Sequence, residues 1–264
     1  MILALDVGNS HIHAGVFIDQ SLVLQFRYST VSATAVSSDQ IGVFMRQVLH
    51  ENGYDPQAVS HVAIASVVPA INYTLRAAFI KYFGQSAFFL TPQMNYQLRM
   101  DVTTPEAVGV DRLAACIAAV DTYPGQHLII FDLGTATVVD VVADGQRYLS
   151  GAILPGLKTS LEALSHSAAQ LANVSIIKPE KAIGHDTTTN VQAGLYYSHL
   201  GALKCFKETI LYELDTRADQ IMTIATGGFA QLFAQDQTLF DVIMPDLVLK
   251  GIKQAFEMNY KEAN

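Results

Sequence analysis

The sequence predicts an α/β protein built from two copies of one domain, and three observations carry that prediction. A strand-plus-glycine phrase occurs twice, first as Ile2-Leu3-Ala4-Leu5-Asp6-Val7-Gly8-Asn9-Ser10 and again as Leu128-Ile129-Ile130-Phe131-Asp132-Leu133-Gly134-Thr135-Ala136-Thr137. The outline that follows each copy is the same: strands joined by hairpins, then helix, strand, helix. Half of the 264 residues are hydrophobic and 15% are charged, which is enough apolar material for two cores and too little charge for a disordered chain.

Residues 2–6, 11–17 and 21–27 read as strands. Ile12, Ala14 and Val16 alternate with His11, His13 and Gly15, the period of a half-buried strand. The connection Ile18-Asp19-Gln20-Ser21 suits a hairpin. Ser37 or Ser38 can cap a helix whose apolar positions Ile41, Phe44, Met45, Val48 and Leu49 follow helical spacing, ended by Asn52-Gly53. A buried strand follows from His61 to Val67, and a helix runs from Val68-Pro69 to about Tyr82.

The second half repeats this order. Strands are expected at 128–132, 136–142 and 146–153, with Asp144-Gly145 a strong hairpin turn. Helices follow near 157–169 and 187–215, then the strand Ile221 to Ala225, the turn Thr226-Gly227-Gly228 and a terminal helix from about Pro245. His61 to Ser66 takes the place in the first copy that Met222 to Thr226 takes in the second. Two copies of this length make a duplication rather than a solenoid, which needs shorter and more numerous repeats. The junction is expected in the helix holding Leu113 to Val120.

Each phrase delivers a carboxylate to the end of a buried strand, and a glycine two residues later permits a tight turn. Turn N–H groups beside a carboxylate suit a metal-bound phosphate, so the pair suggests a nucleotide held between two halves. No Walker loop and no G-x-G-x-x-G after a strand is present. The Gly-Gly turn at 227–228 would let the backbone pass close to a nucleobase or ribose.

A second cluster is Thr104-Pro105-Glu106-Ala107-Val108-Gly109-Val110-Asp111-Arg112. Thr104 reads as a helix cap with Pro105 in the first turn, so that Gly109 lies early in the helix. Asp111 and Arg112 are either solvated helix residues or a working pair. A carboxylate can take a proton from a hydroxyl while the neighbouring cation holds an anionic acceptor, as phosphoryl transfer requires.

A formal net charge of −8, with Lys and Arg scattered, argues against a nucleic-acid partner. No apolar run reaches the roughly 20 residues that span a bilayer, and the first strand carries the motif where a leader would lie. A soluble cytoplasmic protein is therefore expected. Cys116 and Cys205, both in apolar helical contexts, are expected to be reduced, buried thiols. His11 and His13 share a strand face but have no third ligand nearby, which favours packing or a phosphate contact over a metal. Asp39, Asp140 and Asp144 read as turn or cap residues, and Tyr196, Tyr197 and Phe229 as core or dimer-interface aromatics.

Taken in order, Asp6 to Ser10, Gly109-Val110-Asp111-Arg112, Asp132 to Thr137 and Gly184-His185-Asp186-Thr187 resemble the type III pantothenate kinase family. The likeness runs from residue 2 to about 257 and includes Ser66 to Pro69 and Pro245 to Gly251. It implies duplicated ribonuclease-H-like (actin-like ATPase) domains, with mixed five-stranded sheets flanked by helices, over residues 1–115 and 116–264. The implied reaction is ATP-dependent phosphorylation of pantothenate to 4′-phosphopantothenate, the first step of coenzyme A synthesis. Residues Asp6, Val7, Gly8, Asn9, Ser10, His11, Ile12 and His13 would then contact the ATP phosphates, with Asp6 helping to position Mg²⁺. Thr135 matches a further ATP contact and Asp132 the ligand of a monovalent cation, K⁺ or NH₄⁺. Asp111 matches the general base, and Gly109, Val110 and Arg112 match the acceptor site, with Arg112 suited to the pantothenate carboxylate. Tyr96 matches a substrate-contacting tyrosine. Thr187 matches a threonine that reaches pantothenate from the neighbouring subunit, which implies a homodimer with its acceptor site at the subunit interface. Ser10-His11, Leu133 and His185-Asp186 stand where Thr-Asn, Phe and Lys-Asn are common.

Two rival readings stay open on the residues alone. A sugar kinase or polyphosphate phosphatase of the same superfamily would share the two Asp-Gly turns but lack the Gly-x-Asp-Arg and Gly-x-x-Thr elements. A non-enzymatic nucleotide-dependent regulator would have no need of Asp111 and Arg112.

Overall fold

The computed structural model describes residues 1–30, 37–167, 174–236 and 238–260. The chain forms two compact units, Met1–Leu98 with Thr103–Ala118 and Asp246–Asn264, and Arg99–Val102 with Ala119–Pro245.

In the first unit, β1 (Ile2–Val7), β2 (His11–Ile18) and β3 (Ser21–Ser29) form an antiparallel meander, and β4 (His61–Ser66) and β5 (Phe88–Phe89) extend it in parallel. The sheet order is β3-β2-β1-β4-β5. Leu3, Ala4 and Leu5 are all fully buried because the strand is covered on both faces, which explains its unbroken apolar run. Residues of α1 (Ser38–Glu51) and α2 (Pro69–Phe83) close one core with β1, through Ile41, Met45, Leu49, Leu75 and Phe79. Helix α1 begins as the sequence predicts, with Ser37 and Gln40 forming a reciprocal capping box. The helix α3 (Val110–Thr122) lies between the two Asp-Gly phrases in sequence, and α6 (Leu247–Asn259) packs on β1 and β4. A β-carbon on Gly251 would run into the backbone of Ala114, so glycine lets α6 approach α3 at backbone distance.

In the second unit, β7 (His127–Leu133), β8 (Ala136–Ala143), β9 (Arg147–Pro155), β10 (Ile221–Thr226) and β11 (Val242–Ile243) repeat the same pattern. Their order, β9-β8-β7-β10-β11, reproduces β3-β2-β1-β4-β5. The duplication extends to an irregularity. Each second strand shifts register at the same place relative to its Asp, between Val16 and Phe17 and between Val141 and Val142. The β8–β9 turn has positive φ at both Asp144 (55°) and Gly145 (69°), as a two-residue hairpin requires. Helices α4 (Leu157–Ser167) and α5 (Thr187–Glu213) supply Leu157, Leu195, Tyr196 and Leu203 to the core beneath this sheet. The predicted end of α4 at 168–169 falls outside the described residues.

Four expectations need correction. The second sheet has six strands rather than five, because the two-residue β6 (Arg99–Met100) pairs with Arg147 and Tyr148. Pro105–Ala107 form a separate 3₁₀ turn and Thr104 makes no side-chain cap, so the following helix starts only after Gly109. Asp140 is neither turn nor cap. It lies mid-strand at 2% exposure and accepts a hydrogen bond from the Tyr148 hydroxyl at 2.8 Å. Cys116 is buried, but Cys205 lies on the exposed side of α5.

Candidate active site

In the first unit β1 carries Asp6 to the end of the sheet, opposite His13. The Gly8 N–H donates to the His11 carbonyl at 3.1 Å, which closes a loop holding Asn9 and Ser10. Thr30, directly after β3, braces that loop: its hydroxyl donates to the Gly8 carbonyl at 2.6 Å and its N–H to the Ser10 carbonyl at 3.0 Å. Val7 and Ile12 are buried in the core, so from these two positions a ligand can meet only main chain. Asn9 and His11 are exposed. The ring of His13 bonds the Gln25 side chain at 3.0 Å. Burial, and then the Arg27 charge, push the His13 pKa down to about 4 against the opposing pull of Gln25 and Asp246. His13 is therefore a neutral imidazole at pH 7. Among the described residues no group of three His, Cys, Asp or Glu is arranged to hold a metal ion.

Asp111 and Arg112 occupy the first turn of α3 and are both half-buried. Gly109 caps this helix through its carbonyl, which accepts from the Leu113 N–H at 3.2 Å. An aspartate in the first turn complements the partial positive charge of the helix N-terminus. Its Oδ1 accepts the Arg112 N–H at 2.9 Å and covers the space that a β-carbon on Gly109 would fill. Val110 is buried and anchors the turn in the core.

Tyr96 is 5% exposed, and its hydroxyl donates to the Thr91 carbonyl at 2.9 Å. Burial pushes its phenol pKa up, which keeps it protonated. The preceding residue, Asn95, is gripped by Asn259 at the end of α6. The Asn259 Oδ1 accepts the Asn95 N–H at 2.9 Å, and its Nδ2 donates to the Asn95 carbonyl at 2.8 Å. Asn95 in turn accepts from the Gln97 N–H at 2.9 Å, where φ is 54°.

In the second unit Asp132 ends β7 as Asp6 ends β1, but the turn is tighter. Gly134 N–H donates to the Ala136 carbonyl at 3.0 Å, two residues on rather than three. The Thr135 carbonyl accepts from the Gly156 N–H at 3.1 Å and from the Thr159 hydroxyl at 2.7 Å. Two glycines line this turn. A β-carbon on Gly156 would meet the Gly134 and Thr135 carbonyls, and one on Gly227, where φ is 86°, would meet the Asp132 carboxylate and the Leu133 backbone. The third turn of the sequence, at 226–228, is thus brought against the second Asp-Gly turn. Thr187 is the exposed first residue of α5. Asp186 is its cap, bonded to the Thr189 N–H at 2.8 Å; that bond, and then the Thr189 hydroxyl, hold the Asp186 pKa below its ordinary value. Asp in place of the commoner Asn keeps the cap, since both rank high at this position.

Thr30, Thr159 and Asn259 escaped the sequence reading. Each acts by touching main chain, and none lies within a motif.

Comparison with solved structures places the fold. The chain matches a candidate 2-dehydro-3-deoxygalactonokinase from Sinorhizobium meliloti with TM-score 0.59 at 12% identity, covering 100% of this chain and 98% of that one. It matches a candidate Baf family transcriptional activator from Campylobacter jejuni with TM-score 0.55 at 21% identity, covering 97% of each. With a sheet order duplicated strand for strand and an Asp-Gly turn in each copy, the protein falls in the duplicated actin-like fold class. Within that class, a model of type III pantothenate kinase matches residues 2–208. The chain is 48% identical over 262 residues to type III pantothenate kinase 1 of Francisella tularensis strain SCHU S4, covering 99% of each. It is 44% identical over 259 residues to the type III pantothenate kinase of Legionella pneumophila strain Paris, covering 98% of this chain and 99% of the relative. The chain belongs to the type III pantothenate kinase family.

Proposed function

We propose that this protein transfers the γ-phosphoryl group of ATP to the primary hydroxyl of pantothenate, giving ADP and 4′-phosphopantothenate for coenzyme A synthesis. The observation that carries this is the 48% identity over 262 residues, nearly the whole chain, to a type III pantothenate kinase. The hydroxyl oxygen forms a bond to the γ-phosphorus as the bond to the bridging oxygen breaks. Asp111 takes the hydroxyl proton, and its anchored place at the head of α3 suits that task. Arg112, with Gly109 and Val110 beside it, is assigned to the acceptor carboxylate. Tyr96 is assigned to a pantothenate contact. The Asp6 to His13 stretch and Thr135 are assigned to ATP, with phosphates on the turn N–H groups and a neutral His13 among them.

Both turns suit cations. Asp6 would help to hold Mg²⁺, and Asp132, in a cradle that a β-carbon on Gly227 would fill, would hold K⁺ or NH₄⁺. When bound, these ions offset phosphate charge. The remaining catalysis comes from positioning and oriented dipoles. Thr187, exposed at the head of α5, is assigned to the acceptor site of a neighbouring subunit, so the working form is a homodimer. Among the described residues no helix is long and apolar enough to cross a membrane, and we place the reaction in the cytoplasm.

The test is ADP release coupled to a reporter, with Mg²⁺, with and without pantothenate, and with K⁺ or Na⁺. Pantothenate-dependent turnover that rises with K⁺ is expected. No pantothenate-dependent turnover with both cations present would overturn the reading.

A further inference from the structure

The two Asp-Gly turns differ in length and in sequence, yet each is braced in the same way by a residue outside the motif. In the first unit Thr30 is 1% exposed, and one residue pins two turn carbonyls: its hydroxyl holds that of Gly8 at 2.6 Å and its N–H holds that of Ser10 at 3.0 Å. In the second unit the hydroxyl of Thr159, in the first turn of α4, holds the Thr135 carbonyl at 2.7 Å, and the Gly156 N–H holds it at 3.1 Å. Thr30 follows the third strand of its unit directly, whereas Thr159 lies in the helix after the third strand of the other. The hydroxyl holds the carbonyl of the motif glycine in the first unit and the carbonyl of the residue after that glycine in the second, so the same chemistry reaches each turn from a different backbone position.

The consequence follows from peptide geometry. In a planar trans peptide the C=O and the following N–H point in opposite directions, and the described residues contain no cis bond. Holding the Gly8 carbonyl toward Thr30 therefore aims the Asn9 N–H away from it. Holding the Thr135 carbonyl toward Thr159 aims the Ala136 N–H in the same sense. We infer that Thr30 and Thr159 are positioning residues, whose hydroxyls aim turn N–H groups at the phosphates of the nucleotide donor. A threonine that served stability alone would also fill the space, but it would not need to direct a hydroxyl at the turn carbonyl in both copies.

This rests on the assignment of the turns to ATP, so the experiment separates the two. Thr30→Val keeps the shape and the main-chain bond and removes only the hydroxyl donor, while Thr30→Ser keeps the donor. Steady-state kinetics should give a rise of about 10-fold in KM for ATP for Thr30→Val, the scale of one lost charge-assisted hydrogen bond. KM for pantothenate should stay within about twofold, and Thr30→Ser should restore KM for ATP to within about threefold of wild type. The pair Thr159→Val and Thr159→Ser, at a partly exposed helix position, should show the same contrast and serves if Thr30→Val does not fold. Asp6→Asn controls the assignment. If Asp6→Asn raises KM for ATP while the Val and Ser variants at both threonines behave alike, the positioning role is overturned and the ATP assignment stands. If Asp6→Asn and both Val variants leave KM for ATP unchanged, the assignment of the turns to ATP falls.

Discussion

The carboxylate of Asp111 occupies the space that a β-carbon on Gly109 would need. The two residues flank the buried Val110 at the start of α3, and the same carboxylate accepts the Arg112 N–H at 2.9 Å. Gly109 is thus required by the Asp111 carboxylate and not by its own backbone, since its φ lies outside the positive region. Gly109→Ala should fold with a melting temperature close to wild type but displace the carboxylate. A fall in kcat of about 10- to 100-fold, with KM for ATP unchanged, is the expected result. Unaltered kcat would mean that this placement of Asp111 is not the working one.

Asp111→Asn tests the proposed role of Asp111 as general base. The amide keeps the size and can still accept the Arg112 N–H, so the turn survives while proton acceptance is lost. Loss of turnover by at least about 100-fold is expected, with ATP binding by calorimetry preserved. Near-normal turnover in the folded variant would assign proton transfer to another group.

What could be read from the sequence was what lies close together along the chain. The Asp-Gly turns, the helix cap at Ser37 or Ser38 and the two-residue turn at Asp144-Gly145 depend on neighbours a few positions apart, and all three were legible, the structure choosing Ser37 as the cap. The braces were not. Thr30 lies 22 residues from Gly8, and Asn259 lies 164 from Asn95, with nothing in either residue type to announce the contact. Thr104-Pro105 carries every local sign of a helix start, yet the chain makes one 3₁₀ turn there. The helix is deferred until Gly109 lets Asp111 fold back. β5, β6 and β11 each have two residues, too few to show a period. The Asp140–Tyr148 pair joins adjacent strands across a register shift, so alternation alone could not reveal it.

His13 makes stability depend on pH. Its folded pKa is pushed down to about 4, mainly by burial and then by Arg27, whereas the unfolded imidazole titrates near 6.5. Between those values the unfolded chain binds a proton that the folded one does not, so stability falls as pH drops from about 6.5 toward 4. Above about 6.5 the contribution is fully present. Urea unfolding at pH 7 and pH 5 should show a smaller loss for His13→Gln than for wild type. Equal losses would place the acid sensitivity elsewhere.

Tyr148 and Asp140 should matter to stability and not to chemistry. Both are buried, at 0% and 2% exposure, and the phenol donates to the carboxylate at 2.8 Å. Tyr148→Phe keeps the ring and leaves a buried carboxylate with one donor fewer, a cost of about 1–3 kcal/mol. The melting temperature should drop by several degrees, with kcat and both KM values at 25 °C within about twofold. A change in KM without a change in melting temperature would contradict a purely structural role.

If Tyr96 contacts pantothenate as proposed, Asn259 should bear on that contact through its grip on Asn95. Its side chain holds both the N–H and the carbonyl of Asn95, at 2.9 and 2.8 Å, and also donates to the Ala255 carbonyl at 2.9 Å, which ties the residue before Tyr96 to α6. Removing that grip frees the Asn95 peptide groups to rotate, and the buried phenol of Tyr96 loses a fixed backbone beneath it. Asn259→Ala should speed amide exchange across residues 91–97 and raise KM for pantothenate by about 3- to 10-fold, with KM for ATP unchanged, since the Asp6 turn is braced by Thr30 instead. Asn259→Asp keeps the acceptor for the Asn95 N–H but loses the donor to its carbonyl, and should fall between alanine and wild type. Faster exchange at 91–97 with an unchanged KM for pantothenate would remove Tyr96 from the acceptor site while leaving the clamp intact.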